Sequence, residues 1–424
     1  MSTSLIVMGG IIGIILGRLL FRRWFNFLTI YSALWTLVLG LYSLRLIHYY
    51  DIISQAWLFI SIAWFTLFLS SATVLCAVAV TRPIYDMKNS SQNSATISKK
   101  FLGKAIIILS IVASLSIIYQ LVHLILIYGG IEAIIANSNQ IYSYRIAGEL
   151  DLGIPYIGSF AFSACSLAGI YTALSRKITV LSVLPMALIT INGFTNMGRA
   201  GFIIASILFL TSFVFTPHPK LRTKNILIIL LLVSAVLIGA TIFLSSSRGL
   251  IVEFESEDPI METLRSKVHF LPSIYFYLSG PPVVFSEYLK AGEENGPVGA
   301  YCLKPLFSVA AKLGIVEPPN RYELPYFTPE RMNVGTYLRT LHADFGVFGI
   351  VLFPYVLGMA AAMLHLLINR RATLLRITVL SHLYVVIFLS WDVNVFQLGY
   401  FWVSMVGVVF VSIVHSYTML SRDS

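Results

Sequence analysis

Charge is what this chain has least of. Lys, Arg, Asp and Glu together make up 11% of its 424 residues, against a hydrophobic share of 57% and a mean hydropathy of +0.84. A soluble surface carries about 25% charge, so a soluble fold is excluded. Cysteine is equally sparse. Cys76 and Cys165 fall within apolar runs and Cys302 stands alone in a polar stretch, so neither a disulfide framework nor a zinc cluster can be assembled, and three free thiols with packing roles are expected. Also missing are a Gly-rich loop ending in Lys-Ser or Lys-Thr, a His-Glu-x-x-His pair, and an Asp-x-Asp at the end of an apolar run. These absences argue against nucleotide hydrolysis, zinc hydrolysis and metal-dependent transfer from a nucleotide sugar. No metal and no cofactor is expected.

What the chain does have is long apolar runs. A hydrocarbon core of about 30 Å needs roughly 20 helical residues. Runs of that order lie at 4–20, 26–47, 56–80, 104–128, 156–174, 178–194, 200–216, 225–244, 345–368, 377–391 and 398–416. Backbone polar groups in lipid must be satisfied within the segment, which leaves an all-α polytopic membrane protein of about 11 transmembrane helices.

Basic residues collect in alternate connections: Arg22 and Arg23; Arg82, Lys88, Lys99 and Lys100; Arg176 and Lys177; Lys220, Arg222 and Lys224; Arg370, Arg371 and Arg376. The positive-inside rule makes those connections cytoplasmic, the amino terminus external and the carboxyl terminus internal. Of the 19 acids only Asp86 and Asp423 then fall inside. The net charge of +10 follows from this topology, because basic loops sit beside anionic headgroups, and no nucleic-acid partner is implied. The first run has no basic residue before it and two after it, the reverse of a secretory signal, and is expected to be retained.

A linear organisation results: transmembrane helices 1–8 over 1–244, a large external loop over 245–344, and helices 9–11 with a cytoplasmic tail over 345–424. The connection 82–103, with its Asn, Ser and Gln run, reads as a flexible connector. That at 129–155 is external and mixed. The 245–344 loop far exceeds ordinary length, and such loops are functional or have structure of their own. Its aromatic run from Phe270 to Tyr288, a mildly apolar segment at 303–314 and prolines 318, 319, 325 and 329 predict short helices and turns packed as a cap, since aromatics at that density bury.

Three external arginines stand at helix ends beside Gly, Ser or Thr: Arg199 in Met197-Gly198-Arg199-Ala200-Gly201, Arg248 in Ser247-Arg248-Gly249, and Arg339 in Tyr337-Leu338-Arg339-Thr340. Guanidinium groups bind phosphate in a bidentate manner, so three at one face point to an anionic, lipid-linked substrate. Each has a second reading as an interfacial residue with a snorkelling stem. For a proton acceptor His342 leads, three residues from Arg339 and near it on a helix. Asp344 is the alternative base. On a continuous helix it would point ~140° from Arg339, and it has a second reading as the cap of the ninth span. Glu287 is a third candidate base, more readily read as a solvated carboxylate. Gln120 and His123 form a polar pair within a span, read as interhelical hydrogen bonding.

These residues resemble the bacterial repeat-unit polymerases of the Wzy type, which build O-antigen and capsular polysaccharide. The resemblance rests on topology and on three stretches: the Met197 to Gly201 turn, Tyr277-Leu278-Ser279-Gly280-Pro281, and Asn333 to Gly349 with its Asp344-Phe345-Gly346-Val347-Phe348-Gly349 close. It implies metal-independent, inverting glycosyl transfer at the periplasmic face of the inner membrane, passing a glycan from undecaprenyl pyrophosphate to a new lipid-linked repeat unit. Arg199, Arg248 and Arg339 would hold the pyrophosphate, His342 or Asp344 would act in catalysis, and Tyr337 and Glu287 would be further substrate contacts. A chain-length regulator protein is the implied partner, beside membrane lipid. The related O-antigen ligases carry a His-Asn pair before the Tyr-Leu segment, where this chain has Val334 and Gly335. Lipid-oligosaccharide flippases place ionisable residues at mid-membrane, and no acid falls in a confidently assigned span here.

Overall fold

A computed structural model describes residues 3–81, 97–147, 149–150, 156–196, 198, 200–217, 258–268, 271–292, 297–317 and 323–423. Its helices, in chain order, are α1 (Thr3–Phe21), α2 (Phe27–Ser43), α3 (Ser54–Thr81), α4 (Lys99–Tyr128), α5 (Ile131–Ala136), α6 (Ser138–Ala147), α7 (Phe160–Ser175), α8 (Val180–Thr195), α9 (Ala200–Phe215), α10 (Pro259–Lys267), α11 (Leu271–Ser279), α12 (Pro281–Ala291), α13 (Lys304–Lys312), α14 (Tyr337–Arg370), α15 (Leu374–Phe388) and α16 (Gly399–Asp423). The strands β1 (Tyr326–Phe327) and β2 (Arg331–Met332) pair antiparallel, Tyr326 opposite Met332 and Phe327 opposite Arg331.

Helices occupy each expected apolar run that lies among the described residues; the eighth, 225–244, lies outside them, as do 82–96. Ser54–Val78, Lys99–Tyr128, Ile157–Ser175, Tyr337–Arg370 and Gly399–Ser421 are long and apolar enough to cross a membrane, while α1, α2, α8, α9 and α15 are shorter apolar helices. The protein is therefore an all-helical membrane protein.

The chain divides into two compact units, each drawing on three separate stretches. One unit draws on Met1–Ser90, Val252–Leu366 and Val386–Gly399; the other on Ser91–Ile251, Leu367–Val385 and Tyr400–Ser424. The described parts of the 245–344 loop thus share a unit with α1, α2 and α3.

In the first unit α1 and α2 approach closely because α1 carries glycine where they meet. A side chain begun at Gly10, Gly13 or Gly17 would collide with Thr36, Ser32 or Thr29 of α2. Small residues repeated along one face let two backbones pack at short range in lipid, where burial of apolar area gives no advantage over acyl chains. The short loop helices are stitched to the end of α2 and to the 44–53 connection. Tyr275 donates its hydroxyl to the Leu41 carbonyl at 2.7 Å, Tyr49 and Ser279 share a hydroxyl bond at 2.7 Å, and the Ile53 amide donates to Ser286 at 3.0 Å. Tyr49 also stacks on Phe276, so the aromatics of this run are buried as their density requires.

In the second unit hydroxyl groups join helices. Ser212 bonds Ser166 at 2.7 Å and donates to Ser381 at 2.9 Å, and the His382 ring joins the Thr378 carbonyl to the Ser404 hydroxyl at 2.8 and 2.9 Å. Such bonds between spanning helices are worth about 0.6–2 kcal/mol each. Gln120 of α4 accepts from Asn196 at the end of α8 at 3.4 Å, an interhelical bond, and the His123 ring stacks on Tyr119. Cys76 is exposed, Cys165 and Cys302 are buried, and all three are free thiols.

Candidate functional site

The first turns of α14 carry three of the candidate residues of the 245–344 loop. α14 is broken at Gly346, whose backbone leaves the helical region at φ +58° and ψ −146°, so that Tyr337 to Phe345 form a short helix ahead of the long apolar one. Arg339, His342 and Asp344 all lie on that short helix. The break comes after them, and at about 100° per residue Arg339 and His342 share one side while Asp344 faces away.

Arg339 is wholly buried, at 0% exposure. Its Nη2 donates to the Leu324 carbonyl at 2.7 Å, and Nη1 stands 3.4 Å from Glu323 Oε2. The rings of Tyr326 and Tyr288 lie 4.9 and 5.7 Å from the guanidinium carbon. The second oxygen of Glu323 accepts from Gln397 Nε2 at 3.0 Å. Carbonyl, carboxylate and two aromatic faces offset part of the hydration that a buried guanidinium loses. Gly335 makes room for the arginine stem: a side chain begun there would lie 2.8 Å from Arg339 Cδ.

His342 is half-buried, with its Nδ1 3.0 Å from Tyr288 Oη and its ring 5.5 Å from that of Phe59. Tyr288 therefore touches both members of the site. Its hydroxyl holds the imidazole and its ring faces the guanidinium. Sequence reasoning passed over Tyr288 and named its neighbour Glu287, which instead pairs with Lys290 at 2.6 Å. One step along α12 turns a side chain by about 100°, and the signal available was phase. Val284 and Tyr288, four residues apart, are both on the buried side.

Asp344 has both oxygens occupied. Oδ1 accepts from the Tyr301 amide at 3.0 Å and Oδ2 from the Cys302 amide at 2.6 Å, so this carboxylate ties the 298–303 turn to α14 rather than capping a helix. The Cys302 sulfur accepts from Asn394 Nδ2 at 3.1 Å, and burial, reinforced by the Asp344 carboxylate, pushes its thiol pKa up. Tyr337 lies in the core of this unit, its hydroxyl 3.1 Å from that of Tyr31 and its amide bonded to the Ser390 carbonyl.

Arg199 and Arg248, the other arginines expected here, lie outside the described residues. The turn before Arg199 is held by the Gly198 amide on the Gly193 carbonyl at 2.9 Å and by Arg145 on the Asn196 carbonyl. Among the described residues no group of three or more His, Cys, Asp or Glu side chains is placed to hold a metal ion. The chain matches no protein-family model, no curated protein and no solved structure.

Proposed function

We propose that this protein polymerises undecaprenyl-pyrophosphate-linked oligosaccharide repeat units into O-antigen or capsular polysaccharide, at the periplasmic face of a bacterial inner membrane that it crosses about eleven times with its carboxyl terminus inside. The observation that carries the reading is the joining of Arg339 and His342 through Tyr288, one helical turn apart at the head of a spanning helix.

In this reading the hydroxyl at the non-reducing end of the acceptor unit attacks the anomeric carbon of the donor glycan. The new glycosidic bond forms as the bond to the pyrophosphate oxygen breaks, inverting that carbon, and undecaprenyl pyrophosphate leaves with the bonding electrons. His342 takes the proton. With Nδ1–H donating to the Tyr288 oxygen, Nε2 carries the lone pair that a general base needs, and such a base contributes about 10²–10⁴-fold to rate. Arg339 stabilises the departing diphosphate, with Glu323 as the counter-ion the diphosphate replaces there; the same role is proposed for Arg199 and Arg248, which lie outside the described residues.

Purified protein given lipid-linked repeat units and EDTA, without nucleotide, is expected to make a ladder of lengthening glycans. A single transfer onto lipid A core would make the protein a ligase. Movement of the lipid across a vesicle bilayer with no covalent change would make it a flippase.

A further inference from the structure

Helix α13, Lys304–Lys312, buries none of its nine residues. Leu306 and Val309 are 64% and 54% exposed, and Leu303 and Leu313 at its two ends are 38% and 70% exposed. At about 100° per residue these four leucine and valine side chains fall within an arc of about 120°, with Lys304 and Lys312 off that arc. The helix is thus amphipathic, yet most of the apolar surface of Leu306, Val309 and Leu313 stays uncovered. Isolated helices shorter than about 12–15 residues are marginal in water, so a face of this kind forms where something apolar covers it.

The surroundings of α13 say what covers it. Leu303, Phe307 and Phe345 converge within 4.0 Å of where a side chain on Gly299 would begin, which pins the helix beside the residue preceding the Gly346 break. From that break the long apolar helix departs, and its first residues Val347 and Phe348 are exposed and apolar. The exposed stripe of α13 therefore adjoins the start of a membrane-spanning surface. Two lysines flanking an apolar stripe suit the boundary between headgroups and acyl chains.

We propose that α13 is an interfacial anchor, lying in the headgroup–acyl boundary of the bilayer that holds the spanning helices and fixing the external loop to the membrane surface. This goes beyond the polymerase reading and does not depend on it.

The test uses the full chain in nanodiscs of phosphatidylethanolamine and phosphatidylglycerol that contain a photoactivatable diazirine phospholipid. One probe carries the diazirine next to the glycerol, another at the acyl-chain end, and adducts are mapped by peptide mass spectrometry. The peptide covering 303–313 is expected to carry shallow-probe adducts at least about five-fold over deep-probe adducts, as a helix at the headgroup boundary should. Leu306→Glu combined with Val309→Glu should remove them while labelling of 347–366 is unchanged. Labelling of 303–313 no greater than that of 281–291, its persistence in the double variant, or cross-links joining two copies through 303–313 without lipid adducts would each overturn the proposal.

Discussion

Tyr288 Oη and His342 Nδ1 stand 3.0 Å apart, and the ring of the same tyrosine lies 5.7 Å from the Arg339 guanidinium. A single phenol thus orients the proposed base and stacks on the proposed charge stabiliser. Tyr288→Phe keeps the ring and removes the hydroxyl. It should lower kcat about 10-fold with KM little changed, and His342→Ala should lower it about 10²–10⁴-fold. Initial ladder rates over a substrate series separate these effects; a Tyr288→Phe enzyme with wild-type kcat would remove the positioning role.

Glu323 and Arg339 form a buried pair, and removing one partner leaves the other charge without compensation. Glu323→Ala should cost about 3–5 kcal/mol of local stability, and Glu323→Gln less. Hydrogen exchange across 323–345 in the detergent-solubilised protein reads this directly. Unchanged protection in Glu323→Ala would show the pair to be energetically idle.

Gly335→Ala puts a methyl 2.8 Å from Arg339 Cδ. Overpacking of this kind costs about 1–3 kcal/mol, and here it also displaces the guanidinium. The variant should insert normally, unfold at lower temperature and lose most transfer activity. Wild-type melting and wild-type activity together would show that the stem has room to move.

Asp344 separates two readings of the catalytic base. As an anchor, Asp344→Asn should destabilise by about 1–3 kcal/mol, because one backbone amide then faces an NH₂ group, yet ladders should still form at low temperature. Loss of ladders with unchanged stability would make Asp344 the base. Cys302 reports on the same contact. Its thiol is buried and its pKa is raised, so at neutral pH it should resist iodoacetamide in the native protein and react faster in Asp344→Asn.

The positions of the helices were legible in the sequence because lipid leaves an apolar run no other structure. α1, α4, α7, α14 and α16 all stand where hydropathy alone placed them. That Arg339 and His342 lie on one side of a helix was legible too, through their spacing at the head of the ninth run. Their partners were not. Tyr288, Glu323 and Gln397 come from distant stretches with no periodic relation to 339, and only the folded loop brings them there. Asp344 looked like an acid poised at a helix start. Its true occupants are two backbone amides of the 298–303 turn, and an amide donor leaves no trace in side-chain identity.

The most direct measurement is ladder formation by purified Arg339→Gln, Arg199→Ala and Arg248→Ala proteins, each checked for correct insertion, with lipid-linked repeat units, EDTA and no nucleotide. Stabilisation of a departing diphosphate by these guanidinium groups predicts that the wild type lengthens the glycan and that each variant loses about 10²-fold or more in rate. Ladders of wild-type length and rate from all three variants would contradict it.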